Sequence, residues 1–392
     1  MNNSSANGFD LQSIKTSADK DPKFYVLKDE GLQTAIQMAI WLGKPLLLTG
    51  APGTGKTQLA FKVADMLSQT QNLNGHDTPP FLAEPFVFNT KTTSMASELF
   101  YYYDAVRHFQ KRYVDEREET TQETVIVKKA TKAELVESKS VAVASAVSAS
   151  TAHPFIKLNA LGMAILQAYG RDAILQNGEL SDLEHLENFS RLQKLSHSSV
   201  VLIDEIDKAP RDFPNDLLYE IENLNFYISE LMNKHVKKPS SGAQIVVIMT
   251  SNFEKNLPDA FLRRCLFYHI PSPKTAELIN IVQTRIVPHI TELYKEKNTS
   301  RYNLLMGHLN TNIEAMVNEF ETIKTKIKDK QPATSELLEW VKGLEKLGFF
   351  EQKIDFSKLD ENRKKMLVNS LTILTKSKDD IESLKKHYGG ME

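Results

Sequence analysis

Pro45-Leu46-Leu47-Leu48-Thr49-Gly50-Ala51-Pro52-Gly53-Thr54-Gly55-Lys56-Thr57 decides the fold of this 392-residue chain. Leu46 to Thr49 is a short apolar run with no polar alternation, the pattern of a strand buried on both faces. Gly50 to Thr57 matches the spacing G-x4-G-K-[ST]. Beyond it, Ala60, Val63, Ala64 and Leu67 recur at helical spacing. A strand, a glycine-rich turn and a helix in that order open a βαβ unit.

Each residue type in the turn has a chemical reason. Gly50, Gly53 and Gly55 let the backbone curl so that successive N–H groups point inward at phosphate oxygens. Ala51, Pro52 and Thr54 complete the loop. The helix that follows adds the positive end of its dipole. Lys56 is a point charge for β and γ phosphates, and the Thr57 hydroxyl is a hard oxygen ligand of the kind Mg²⁺ takes. These residues point to a nucleoside triphosphate with Mg²⁺. A bare glycine turn is the competing reading, and the flanking strand and helix weigh against it.

Working outward, three more apolar runs read as buried strands, Phe86–Phe88, Ser199–Ile203 and Ile245–Met249, and Leu266–Ile270 reads as a candidate fifth. Helical patterns lie between several of them, and a helix over about Glu30–Leu42 precedes the first strand and stops at Gly43. Alternation of this kind predicts a mostly parallel sheet with helices on both faces. After Pro273 the pattern becomes helical. Met316, Phe320, Ile323 and Ile327 make one stripe, and Leu337, Trp340, Val341, Leu344 and Leu347 another, the core faces of a small all-α domain with Trp340 as anchor.

The second chemical site is Val200-Val201-Leu202-Ile203-Asp204-Glu205, an apolar strand that delivers two acids at its C-terminal end, where open α/β sheets bind ligands. Asp204 is the expected Mg²⁺ ligand, through water. Glu205 is the expected general base for the attacking water. Asp207, Lys208 and Arg211 either line the nucleotide or a neighbouring subunit, or begin a solvated helix. The strand ending Thr250-Ser251-Asn252 offers the Asn252 amide to the γ phosphate and the lytic water, although Asn is also common in turns. Arg263 and Arg264 are adjacent arginines in an apolar segment. A guanidinium supplied to a neighbour's site would stabilise charge on the transferring phosphoryl. Arg264 is preferred for this, with Arg263 as helper or interface ion pair; a surface salt bridge is the plain alternative.

Composition bounds the rest. The chain is 41% hydrophobic and 25% charged with a formal net charge of −2, which is ordinary globular material and no polycation. Its one cysteine, Cys265, admits no intramolecular disulfide and reads as a small core residue rather than a reactive thiol. No signal peptide or run of 18 apolar residues is visible, so the chain reads as soluble and cytoplasmic. Residues 1–22 are read as a flexible polar tail, 23–272 as the nucleotide-binding domain and 273–392 as a helical lid. Within the first domain, Arg117–Ala152 is read as a flexible insertion, or alternatively as a partner-binding strand that orders on contact. Tyr388 to Glu392 read as a frayed end.

The order GAPGTGKT (50–57), VLIDEIDKAPRDFPNDLL (201–218) and IVVIMTSNFEKNLPDAFLRRC (245–265) resembles the MoxR type of AAA+ ATPase over about Lys23 to Ser272. Tyr101–Ala105 and Pro332–Leu337 also look like stretches of that group. The resemblance implies a five-stranded P-loop α/β domain followed by an all-α lid. It further implies a homo-oligomer, a hexameric ring with ATP at subunit interfaces, and work on a protein client beside a von Willebrand A domain protein. By it, Gly50–Thr57 look like Walker A, Asp204 and Glu205 like Walker B, Asn252 like sensor 1 and Arg264 like the arginine finger. Sensor 2 has no arginine match, and Lys330 is the candidate. Tyr101–Arg112 and Pro154–Tyr169 correspond to an inserted hairpin or helix facing the ring pore. Two rival functions are a nucleic-acid motor and a nucleotide-gated scaffold with little turnover. The net charge and the lack of a helix-turn-helix or OB pattern count against the first, and Glu205 counts against the second.

Overall fold

A computed structural model describes residues 15–17, 21–70, 78–113, 152–240, 242–252 and 255–389. They form two compact units, one of Asp29–Thr49 with Ala60–His269 and one of Met1–Lys28 with Gly50–Leu59 and Ile270–Glu392.

The first unit is built on a five-stranded sheet. Its strands are β1 (Leu46–Thr49), β2 (Phe86–Asn89), β5 (Ser199–Asp204), β8 (Ile245–Ser251) and β9 (Leu266–His269), in the order β2-β5-β8-β1-β9 and all parallel. Burial explains the sequence pattern. Leu46 to Thr49 are all buried, as are the first five residues of β5, because these strands lie inside the sheet with both faces covered. The edge strands β2 and β9 alternate instead. Phe88 is buried and Phe86 partly buried but Val87 is exposed, so Phe86–Phe88 is not the fully buried strand its apolar run predicts, because an edge strand has one face less covered. Each fully buried leucine of β1 contributes roughly 1.5–3 kcal/mol through removal of its side chain from water. Helix α1 (Glu30–Leu42) begins where the Asp29 carboxylate accepts from the Leu32 N–H at 3.1 Å. It ends at Gly43, whose φ of 60° is the left-handed cap that glycine adopts without strain.

Two small hairpins decorate this sheet. β3 (Tyr101–Tyr103) pairs antiparallel with β4 (Ile156–Leu158), and β6 (Asn225–Ile228) with β7 (Lys234–Lys237). Residues 105–113 are helical, and β4 leads into α3 (Ala160–Gln167), buried along its whole length. Residues 101–112 and 154–169 thus hold an antiparallel pair of strands, each followed by a helix. The β6–β7 hairpin was not read from the sequence, although Phe226, Ile228 and Val236 carry period-two alternation. Phe226 stacks on Phe100 with ring centroids 5.0 Å apart, which ties the hairpin to the main core.

The second unit packs α4 (Thr275–Tyr294), α5 (Thr299–Lys326), α6 (Thr334–Lys346), α7 (Glu361–Ser370) and α8 (Lys378–Gly389). Met316, Phe320, Ile323, Ile327, Leu337, Trp340, Val341 and Leu344 share one apolar core, as their spacing predicts. Leu347 does not join it: the residue keeps the helical bond from its N–H to the Gly343 carbonyl but sits just past α6, where the helix is no longer covered, and is exposed. Tyr388 and Gly389 are not frayed. They close α8, and the Tyr388 hydroxyl donates to Glu319 while its ring packs on the helical core.

The flexible tail expected at 1–22 and the flexible insertion expected at 117–152 fall mostly outside the described residues. Where they are described they are engaged. The Ser17 hydroxyl donates to Glu292 at 2.7 Å, Thr16 is buried beside His289, and Ala152 is buried in the main core. No helix among the described residues is long and apolar enough to cross a membrane.

Candidate functional site

The chain passes from β1 at Thr49 straight into the glycine-rich loop and then into α2 (Lys56–Thr70). Gly50, Gly53 and Gly55 have φ of 146°, 76° and 86°, conformations that side-chain-bearing residues rarely adopt. Space imposes the same choice. A Cβ on Gly50 would lie 2.6 Å from the Ile270 carbonyl oxygen, and one on Gly53 2.7 Å from the Ser335 hydroxyl. Thr54 tightens the turn by donating to the Ala51 carbonyl at 2.8 Å. Lys56 is buried, and its ammonium donates to the carbonyls of Gly50 at 2.7 Å and Ala51 at 3.0 Å. The loop thus curls around a fixed positive charge at the start of a helix, the arrangement that receives phosphate oxygens. Pro52 is exposed on the crest of the loop, and Thr57 is partly buried in the first turn of α2.

Parallel pairing brings the ends of β5 and β8 to the same edge of the sheet. There the Thr250 hydroxyl donates to Asp204 Oδ1 at 2.5 Å and accepts from the Glu205 N–H at 2.8 Å. Glu205 is left-handed, with φ 56° and ψ 50°, a costly geometry for a residue with a side chain. It turns the chain into the short helix Ile206–Lys208, which carries Lys208 back so that its ammonium donates to Glu205 Oε2 at 2.5 Å. The Asn252 side-chain amide donates to Glu205 Oε1 at 3.4 Å, and the Asn252 N–H donates to the buried Asp207 at 3.1 Å. Lys255 donates to the Lys208 and Ala209 carbonyls at 3.2 Å each, joining the loop after β8 to the loop after β5. Asp204, Glu205 and Asn252, separated by some forty-five residues of sequence, therefore form one hydrogen-bonded cluster.

Lys208, read from sequence as lining the nucleotide or a neighbouring subunit or as starting a solvated helix, belongs to this cluster, and so does Thr250, which has no role assigned from sequence. Thr250 has a usable signal, since it stands two positions before Asn252 on an inner strand, where a buried hydroxyl needs a partner. A neighbouring cleft of about 340 Å³ is lined by Ile206, Asp207, Arg211, Pro214, Lys255 and Leu257.

The arginines stand apart in their bonding. Arg264 pairs with Glu222 at 2.9 Å and donates to the Ala260 carbonyl at 3.2 Å, and Arg263 is exposed beside it. Lys330 is exposed too. The residues that meet the loop at Gly53 are Ala333 and Ser335, around the start of α6. Cys265 is partly buried. Its thiol donates to the Phe261 carbonyl at 3.3 Å, and burial pushes its pKa up to about 12.

The donor chemistry fits magnesium. The Thr57 hydroxyl and the Asp204 carboxylate are hard oxygen donors. Among the described residues no group of three or more His, Cys, Asp or Glu could hold a metal by itself.

Residues 44–299 match the family described as AAA domain (Cdc48 subfamily). No curated protein matches the chain significantly.

Proposed function

This chain belongs to the AAA domain family, Cdc48 subfamily. We propose that it is an Mg²⁺-dependent ATPase and, from the resemblance of its motifs, one of MoxR type that remodels or matures a protein client. The observation that carries this reading is the loop Gly50–Thr57, with the buried Lys56 ammonium held inside it by two loop carbonyls. Arriving phosphate oxygens exchange neutral carbonyl partners for charged ones at Lys56, which strengthens each hydrogen bond.

The loop amides and Lys56 bind the β and γ phosphates. Thr57 and Asp204 hold Mg²⁺, which supplies neutralisation of the charge on the triphosphate. Glu205 takes the proton of the attacking water, and Asn252, already bonded to its carboxylate, orders that water. Arg264, with Arg263 beside it, acts on the nucleotide of a neighbouring copy once released from Glu222. The resemblance to the MoxR type extends this proposal to a homo-oligomeric, hexameric ring with a von Willebrand A domain protein as partner, acting in the cytoplasm. Loss of the γ phosphate drives the movement that acts on the client. A lid residue completes nucleotide sensing; Lys330 remains the candidate, with Ser335 closer to the loop.

Calorimetry with Mg·ATP tests the binding half: association by the wild type that Lys56→Ala abolishes is the expected result. Phosphate release tests the chemistry, with Glu205→Gln expected to retain binding and lose turnover. Equal phosphate release by wild type and Glu205→Gln would return the chain to a nucleotide-gated scaffold. Mass measurement with and without ATP tests the ring.

A further inference from the structure

We infer that Thr250 is a positioning residue that sets both Walker acids through one hydroxyl, an inference resting on the ATPase reading above. The Oγ1 atom is used twice. It donates to Asp204 Oδ1 at 2.5 Å and accepts the Glu205 N–H at 2.8 Å. A hydroxyl has one proton to give, and here that proton goes to the carboxylate, so its lone pairs face the amide. The chain N–H to O–H to carboxylate runs in one direction, and each bond polarises the next.

Two consequences follow for the chemistry. One Asp204 oxygen is committed to Thr250, which fixes the orientation of the carboxylate that would face a bound cation. The bond to the Glu205 N–H secures the left-handed turn at φ 56°, and that turn directs the Glu205 side chain toward Asn252 and Lys208. Thr250 suits the task because it is 1% exposed on an inner strand, and its β-branched side chain has restricted rotamers. Serine can make the same two bonds from the same Cβ. Valine has nearly the same shape and can make neither.

The test compares wild type, Thr250→Val and Thr250→Ser as full chains. Affinity for a non-hydrolysable ATP analogue is measured in Mg²⁺ and in EDTA, together with single-turnover phosphate release and amide hydrogen exchange at Glu205 without nucleotide. Thr250→Val is expected to lose about 10- to 100-fold in the Mg²⁺-dependent part of affinity and in turnover, the usual effect of removing a partner of a metal ligand. Its affinity in EDTA stays unchanged, its Glu205 amide exchanges faster, and Thr250→Ser stays close to wild type. The inference is overturned if Thr250→Val matches wild type in Mg²⁺-dependent affinity and turnover, or if Thr250→Ser is as impaired as Thr250→Val. If Thr250→Val does not fold, Thr250→Ala takes its place under the same criteria. A wild type without Mg²⁺-dependent binding sinks the ATPase reading, and this inference with it; a normal wild type beside an unaffected Thr250→Val sinks the inference alone.

Discussion

Gly53 faces Ser335 at a distance that admits no side chain: a Cβ on the glycine would lie 2.7 Å from the serine hydroxyl oxygen and 2.8 Å from the Ala333 Cβ. The crest of the phosphate loop and the start of α6 are in contact, and the φ of 76° at Gly53 adds a conformational demand to the steric one. Gly53→Ala is therefore expected to destabilise the loop by about 1 kcal/mol or more, and to weaken nucleotide binding at least about tenfold. Calorimetry reads the affinity and thermal melting the stability. An unchanged affinity would mean that the loop tolerates a different path.

Trp340 is fully buried at the centre of the helical core, and its indole N–H donates to the Ser370 hydroxyl at 2.7 Å. Trp340→Ala should cost on the order of 3–5 kcal/mol through the cavity it leaves. Ser370→Ala should cost about 1–3 kcal/mol, because the N–H then stays buried without its acceptor. Urea titration followed by circular dichroism measures both, with Trp340→Ala expected to show the lower midpoint.

Tyr268 donates to Asp29 at 2.6 Å, and this bond, ahead of the backbone N–H groups of Leu32 and Gly31, holds the Asp29 carboxyl below its ordinary pKa. A depressed folded pKa contributes stability above the unfolded value, near 4, and that contribution is lost as pH falls through the folded value. Burial first, then the bond to Asp29, pushes the Tyr268 phenol up to about 12. Its contribution has the opposite sign: present below pH ~10 and lost as pH rises through about 12. Tyr268→Phe should melt lower than wild type at pH 7, and the gap should narrow toward pH 3. A gap independent of pH would argue against the Asp29 bond.

Cys265 offers a chemical probe of the packing around β9. With its thiol pushed up to about 12 by burial, almost no thiolate exists at pH 8, so alkylation of the native protein should be slow and should accelerate on unfolding. Mass spectrometry after timed iodoacetamide treatment reads the modified fraction. Fast labelling of the folded chain would show an exposed thiol instead.

Much of this molecule was legible before any coordinates. Short apolar runs such as Leu46–Leu48 and Val200–Ile203, bounded by turn signals and set between helical patterns, read as strands, and a loop with three glycines before Lys56 and Thr57 reads as a phosphate cradle. The acids at the end of β5 and the asparagine after β8 were legible for the same reason: polar residues that terminate buried strands stand at the edge where ligands bind. Leu347 and Tyr388 were misread because helical spacing says nothing about where a helix stops being covered.

What residue order determined by itself was the local chemistry: which segments are strands, where the backbone must curl, and which side chains carry charge. What tertiary structure alone decided was partnership. Thr250 meets Asp204 and Glu205 only because β8 lies beside β5, and Ala333 and Ser335 meet Gly53 across nearly three hundred residues of chain. Strand order and helix docking are set by non-local burial of apolar surface, and no spacing in the sequence records which distant hydroxyl that burial brings within 3 Å of a carboxylate.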